Sequence, residues 1–154
     1  MTDSSRLRDM GKALSELFTF GKLDHERELP VEVTFALIGY LAKADSIITS
    51  HEAEFVNALM DELDLPTQGR ALANASFERG RLRQIDIKVE GRRFVAAYGA
   101  GSRQVHELFD TLLGLSAADG RVFPRERQAL SELAAALGLN EADIDRRLET
   151  IRGI

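Results

Sequence analysis

The sequence predicts an all-α fold, a compact bundle of seven to eight helices forming one domain over residues 1–154. Three observations predict this fold. Apolar residues recur along most of the chain at the three- and four-residue spacing of an amphipathic helix. The segment 44–52 is repeated, seventy-four residues later, as segment 118–126. The connections between the periodic segments are short, and no linker or low-complexity stretch interrupts them.

The repeated segment predicts the internal organisation of the bundle. Each copy lies between two apolar-periodic segments, which predicts a helix, a short turn and a second helix. Leucines in the flanks also match at the same offset: Leu41 with Leu115, Leu59 with Leu133, Leu63 with Leu137 and Leu65 with Leu139. Self-similarity at a fixed offset is typical of duplicated structural units. We therefore expect two pseudo-symmetric helix-turn-helix hairpins, over residues of about 30–65 and 102–139.

The N-terminal half predicts three helices. Apolar residues at helical spacing predict the first over 4–20. The charged, irregular segment 21–29 predicts a loop, and Pro30 is expected to open the second helix because proline is favoured at a first helical position. The second helix is apolar on all sides, which predicts a central, buried position. A third helix is predicted over 50–63.

The middle of the chain predicts two further helices. Leu65, Pro66 and Thr67 end one helix and start the next, which is predicted over 68–79. A turn is expected over 80–84. Apolar residues alternate with charges at the start of 85–98, but a lone strand would have no partner, so the segment predicts a helix.

The C-terminal part predicts three helices. The first starts near Ser102 after a glycine-rich break. The second has Pro124 at its first position, and Gly138 is expected to end it. The third begins at the Asn140-x-x-Asp143 segment.

Length and composition exclude several classes of protein. A chain of 154 residues with a net charge of −5 is typical of a single soluble domain, and its acidity argues against nucleic acid as the partner. The absence of cysteine excludes disulfides and thiol chemistry. The N-terminus lacks the apolar core of a signal peptide, and no apolar run approaches the ~20 residues that span a bilayer. We therefore expect a cytoplasmic protein without membrane insertion.

Catalytic motifs are absent, so the sequence predicts a protein that is not an enzyme. His25, His51 and His106 have no evident catalytic partner in the sequence. His51 and Glu52 begin like a zinc-protease motif, but Phe55 stands where the second histidine must be. No glycine-rich phosphate loop or nucleophile elbow is present. We assign no catalytic and no cofactor-binding residues.

Acidic residues stand at matching positions of the two repeats. Asp45 and Asp119 are expected at the C-terminal ends of their helices, where the helix dipole makes a carboxylate unfavourable by about 0.3–1 kcal/mol. Glu52 and Glu126 are expected near the third position of the helix that follows each turn. Either the N–H groups of the turn or a bound cation must offset the unfavourable charge.

These four acids give two readings that the residues leave open. The pairs Asp45/Glu52 and Asp119/Glu126 supply hard oxygen ligands, which suit a divalent cation such as calcium or magnesium. The ligand spacing of an EF-hand is not met. In the alternative reading the acids only cap turns and helices, and the domain binds no metal.

One basic cluster stands out between the two repeats. It could face an anionic partner or phosphate groups, or it could be a solvated, salt-bridged surface, since acidic residues interleave with it. The cluster consists of Arg79, Arg81, Arg83, Lys88, Arg92 and Arg93.

Three stretches carry a resemblance to a known family. They are Leu41–Asp45 followed by Glu52, then Ala117–Val122 followed by Pro124–Glu126, and a middle stretch that includes Phe77–Arg81. With these motifs the chain resembles the TerB-like family, which includes the tellurite-resistance protein TerB and the N-terminal region of the co-chaperone DjlA. The similarity is greatest to the DjlA type and covers residues of about 29–148.

The resemblance implies a helical fold of about seven helices, a link to bacterial stress response, and a divalent metal held by Asp45, Glu52, Asp119 and Glu126. Ser46 replaces the usual glycine of the first motif, which weakens the expectation for the first pair. The His-Pro-Asp tripeptide of a J domain and the membrane anchor are absent, so direct stimulation of a DnaK-type chaperone is not expected. We expect a non-enzymatic domain that binds a protein partner or forms a homodimer.

Overall fold

The secondary structure of the described part of the chain consists of α-helices joined by short connections. The computed structural model describes residues 25–42, 50–63, 65–116 and 124–152, without the side chains of 25–28, 50–53, 55 and 150–152. Seven helices lie in these ranges: α1 (His25–Ala42), α2 (Ser50–Glu62), α3 (Thr67–Arg81), α4 (Ile87–Tyr98), α5 (Arg103–Ser116), α6 (Pro124–Ala136) and α7 (Asp143–Arg152). The predicted all-α bundle is confirmed.

Helix α1 lies at the centre of the bundle. It packs against α3, α4, α5 and α6, and most extensively against α3. Its apolar side chains are fully buried on more than one side, including Phe35, Leu37, Ile38 and Leu41. A helix that is apolar all round has no solvent face to present, and the predicted central position is confirmed.

The start of α1 corrects the prediction for this segment. Residues 25–29, expected in a loop, are helical, and Pro30 is the sixth residue of the helix instead of the first. The first four N–H groups of a helix have no internal acceptor. Pro30 stands just after this first turn and lacks an N–H group, so it removes at most one internal hydrogen bond of the helix. Burial of the apolar residues that follow favours keeping the helix intact through the proline. The first predicted helix, over 4–20, lies outside the described residues.

The middle helices follow their local sequence signals. Pro66 is the N-cap of α3, and the helix runs two residues beyond its predicted end at Arg79. Helix α4 begins after Asp86, whose Oδ1 accepts a hydrogen bond from the backbone N–H of Lys88 at 2.9 Å. The predicted helix over 85–98 is therefore confirmed, with its start two residues later because Asp86 caps it.

The C-terminal helices are also bounded by caps and glycine. Ser102 Oγ accepts from the N–H of Val105 at 3.2 Å and starts α5. Helix α6 begins at Pro124 as predicted, and Gly138 has a φ of 73° just after its end. Asn140 Oδ1 accepts from the N–H of Ala142 at 2.9 Å, so α7 begins only at Asp143.

The two predicted hairpins are described only in part. Their turns, residues 43–49 and 117–123, lie outside the described ranges, so the pseudo-symmetry of the halves stays a prediction. Among the described helices, none combines the length and apolar character needed to cross a membrane.

Candidate functional site

The four predicted metal ligands are only partly described. Asp45 and Asp119 lie outside the described residues, and Glu52 is described in its backbone alone, as the third residue of α2. Glu126 is fully described and is the third residue of α6, as predicted. The described side chains contain no cluster of three or more metal-ligating groups, so the structure leaves the four-acid site untested.

Glu126 is nevertheless an unusual acid, because its side chain is buried. Only 4% of its surface is exposed, although it stands in the first turn of the helix that directly follows residues 117–123. Ser116, which precedes that segment, is the last residue of α5 and is also buried. The Ser116 hydroxyl has no hydrogen-bond partner among the described residues. Two buried oxygen groups thus border the seven-residue connection that contains Asp119.

Part of the basic cluster forms an internal ion-pair network. Glu32 on α1 accepts a hydrogen bond from Arg93 Nη1 on α4 at 2.8 Å, and Arg79 Nη2 on α3 lies 3.5 Å from the same carboxylate oxygen. Arg93 also pairs with the buried Glu90 at 3.1 Å. The hydrogen bond from Arg93, opposed by burial, lowers the pKa of Glu32 below its usual 4.5. These side chains tie α1, α3 and α4 together, which confirms the salt-bridged reading for this part of the cluster.

A second part of the cluster stacks on an aromatic ring. The guanidinium carbon of Arg83 lies 3.7 Å from the centre of the Tyr40 ring, a cation–π geometry. The Tyr40 hydroxyl donates a hydrogen bond to Glu132 Oε2 at 3.0 Å. Burial, followed by the bond to Glu132, raises the pKa of Tyr40. Arg83 holds a φ of 60°, a strained conformation for a residue with a side chain.

An open groove lies between the start of α4 and the end of α6. Its volume is about 450 Å³, in the range of ligand pockets in proteins. Apolar atoms of Ile87, Ala135 and Ala136 line it. Two basic side chains, Lys88 and Arg92, stand along the α4 side.

A comparison with protein families finds one family whose model matches most of the chain. The family model described as "Tellurite resistance protein TerB" matches residues 32–148, from the middle of α1 into α7. The chain belongs to the TerB family. The recognition made from the motifs is therefore confirmed, and the match includes both acidic turns and the groove.

Co-chaperones are among the curated relatives of this TerB-family chain. It is 29% identical over 115 residues to the co-chaperone protein DjlA of Vibrio vulnificus, covering 75% of this chain and 40% of the relative. It is 30% identical over 120 residues to DjlA of Vibrio parahaemolyticus, covering 77% and 42%. With DjlA of Haemophilus influenzae it shares 25% identity over 143 residues, covering 93% and 49%. The chain thus spans less than half the length of these relatives, and no solved structure matches it significantly.

The names of the family and of the relatives agree with the prediction of a non-enzymatic domain. Neither a tellurite resistance protein nor a co-chaperone is named for a catalysed reaction. His106, the one described histidine side chain, contacts Arg147 through its Nδ1 atom, and Arg147 Nη1 also donates to Asp110 at 3.0 Å. This contact joins α5 to α7.

Sequence reasoning missed the groove and the stack of Arg83 on Tyr40. Each depends on residues far apart in the chain, such as Tyr40 and Glu132, which no local pattern connects. The available signal was the i, i+4 spacing of Lys88 and Arg92, which places both on one face of a helix. That spacing distinguishes them from Arg93, which points to the ion-pair network.

Proposed function

We propose that this chain is a non-enzymatic TerB-family binding domain of bacterial stress response that docks a protein partner. We further propose that it binds a divalent cation, calcium or magnesium, through Asp45, Glu52, Asp119 and Glu126. The observation that carries the cation proposal is the burial of Glu126 beside the second acidic turn. A carboxylate loses its hydration on burial, and a bound cation compensates this loss, as hydrogen-bond donors and basic side chains also do.

The second repeat is the stronger candidate for the cation. Ser116 supplies a further buried oxygen at the end of α5, and its hydroxyl lacks a partner among the described residues. Hydroxyl, carboxylate and carbonyl oxygens are the hard ligands that calcium and magnesium prefer. The first repeat has Ser46 in place of the family's usual glycine, which makes it the weaker candidate.

Support for a protein partner comes from the relatives. They are named as co-chaperones, and the region shared with them includes nearly all the described helices. The aligned part is less than half of each relative, so we transfer only the general role of contacting proteins. A role in tellurite resistance is the corresponding proposal from the family description.

The position of Glu126 also supports an alternative function without a metal. It lies in the first turn of α6, where a carboxylate interacts favourably with the free N–H groups and the helix dipole. In this alternative the acids only cap the turns, and the domain is a structural interaction module or homodimer.

Thermal unfolding of the full chain separates the two functions. We expect millimolar calcium or magnesium to raise Tm relative to EDTA, since a cation at ~100 times its Kd stabilises the folded state by about 2.7 kcal/mol. Glu126→Gln should remove this shift. Glu149→Gln, which removes an exposed acid from α7, is the matched control and should keep it.

The metal-free alternative predicts a different pattern. The wild-type chain would show no cation-dependent shift, and Glu126→Gln would lower Tm equally in calcium and in EDTA. Calorimetric titration of the wild-type chain with calcium chloride provides a test that does not depend on the variant folding. Absence of both heat and Tm shift at millimolar cation would overturn the metal proposal.

A further inference from the structure

We draw no further inference here: the strongest candidate, the open groove between α4 and α6, is lined by two cations and two carboxylates, so its charge selects no occupant, and nothing in the structure shows what covers it.

Discussion

Gly39 on α1 and Gly80 on α3 face each other across the closest approach of these two helices. A Cβ atom added to Gly39 would lie 2.9 Å from the backbone nitrogen of Arg81, and one added to Gly80 would lie 2.9 Å from that of Tyr40. Backbone carbonyls of Phe77 and Ala36 would lie closer still. Real Cβ atoms do not approach backbone at such distances, so the absence of a side chain at both positions permits the packing of α1 on α3.

Gly80→Ala should therefore destabilise the protein. Alanine normally stabilises a helix interior relative to glycine, but here the added methyl meets backbone that cannot move away without separating the helices. We expect a loss of at least about 2 kcal/mol in the unfolding free energy measured by urea titration. Gly69→Ala, on the same helix, is the control, since its neighbours are side-chain carbons of Leu65 and Pro66 at 3.3 Å. Equal effects of the two substitutions would contradict the close approach.

The ion-pair network around Glu32 predicts a dependence of stability on pH. Its pKa in the folded protein is lowered, mainly by the hydrogen bond from Arg93, relative to the usual 4.5. The folded state thus binds fewer protons than the unfolded state in the interval below 4.5, and stability rises with pH there. The contribution is present above pH 4.5 and is lost as the pH falls through the folded-state pKa.

Urea titrations between pH 3 and 6 measure this contribution. The unfolding free energy of the wild-type chain should fall on acidification more steeply than that of Glu32→Gln. The control Glu149→Gln removes an exposed acid and should keep the wild-type slope. A wild-type slope in Glu32→Gln would show that other carboxylates dominate the acid response.

Replacement of the buried Ser76 on α3 should stabilise the protein. Its side chain is fully buried, and its hydroxyl has no hydrogen-bond partner among the described residues. Ser76→Ala removes an unsatisfied polar group and improves helix propensity, so the unfolding free energy should rise by about 0.5–2 kcal/mol. The same change at Ser131, whose hydroxyl donates to Glu141 at 2.8 Å, should be neutral or destabilising. A loss of stability in Ser76→Ala would reveal a partner for its hydroxyl outside the described residues.

The fold could be predicted from the sequence because helical periodicity is a local property. The helix over 85–98 and the restart at Pro66 are set by neighbouring residues, and both predictions are confirmed. The error at Pro30 has the opposite origin. Proline favours a first helical position locally, but burial of Phe35 and Leu37 against the rest of the bundle extends the helix through it.

The candidate site could be predicted only in its chemical character. The position of Glu126 in α6 follows from the repeat and is confirmed, whereas its burial depends on the packing of other helices. The sequence places the basic residues in one cluster. Tertiary contacts divide it, since Arg93 turns inward to Glu32 while Arg92, one residue earlier, faces the groove. A helix places consecutive residues ~100° apart, so neighbours in sequence reach different environments.

The contacts of Arg147 on α7 predict that its side chain holds α7 against α5. Its side chain is 19% exposed, and its guanidinium contacts His106, donates to Asp110 on α5 at 3.0 Å and lies 5.8 Å from the centre of the Phe109 ring. Arg147→Ala removes these contacts together, and we expect a loss of about 1–2 kcal/mol. Buried Ile144 should keep α7 docked, so amide hydrogen exchange should accelerate in α7 without loss of its helical signal.

Arg146→Ala is the matched control for this prediction. Arg146 is the neighbouring residue, is 73% exposed in its side chain and pairs with Asp143 on its own helix. An exposed pair within one helix contributes about 0.3–0.5 kcal/mol, so exchange in α7 should change little. If Arg146→Ala accelerated exchange as much as Arg147→Ala, the effect would belong to helix charge and not to the contact with α5. Faster exchange in α7 that is specific to Arg147→Ala would show that its side chain fastens α7 to the bundle.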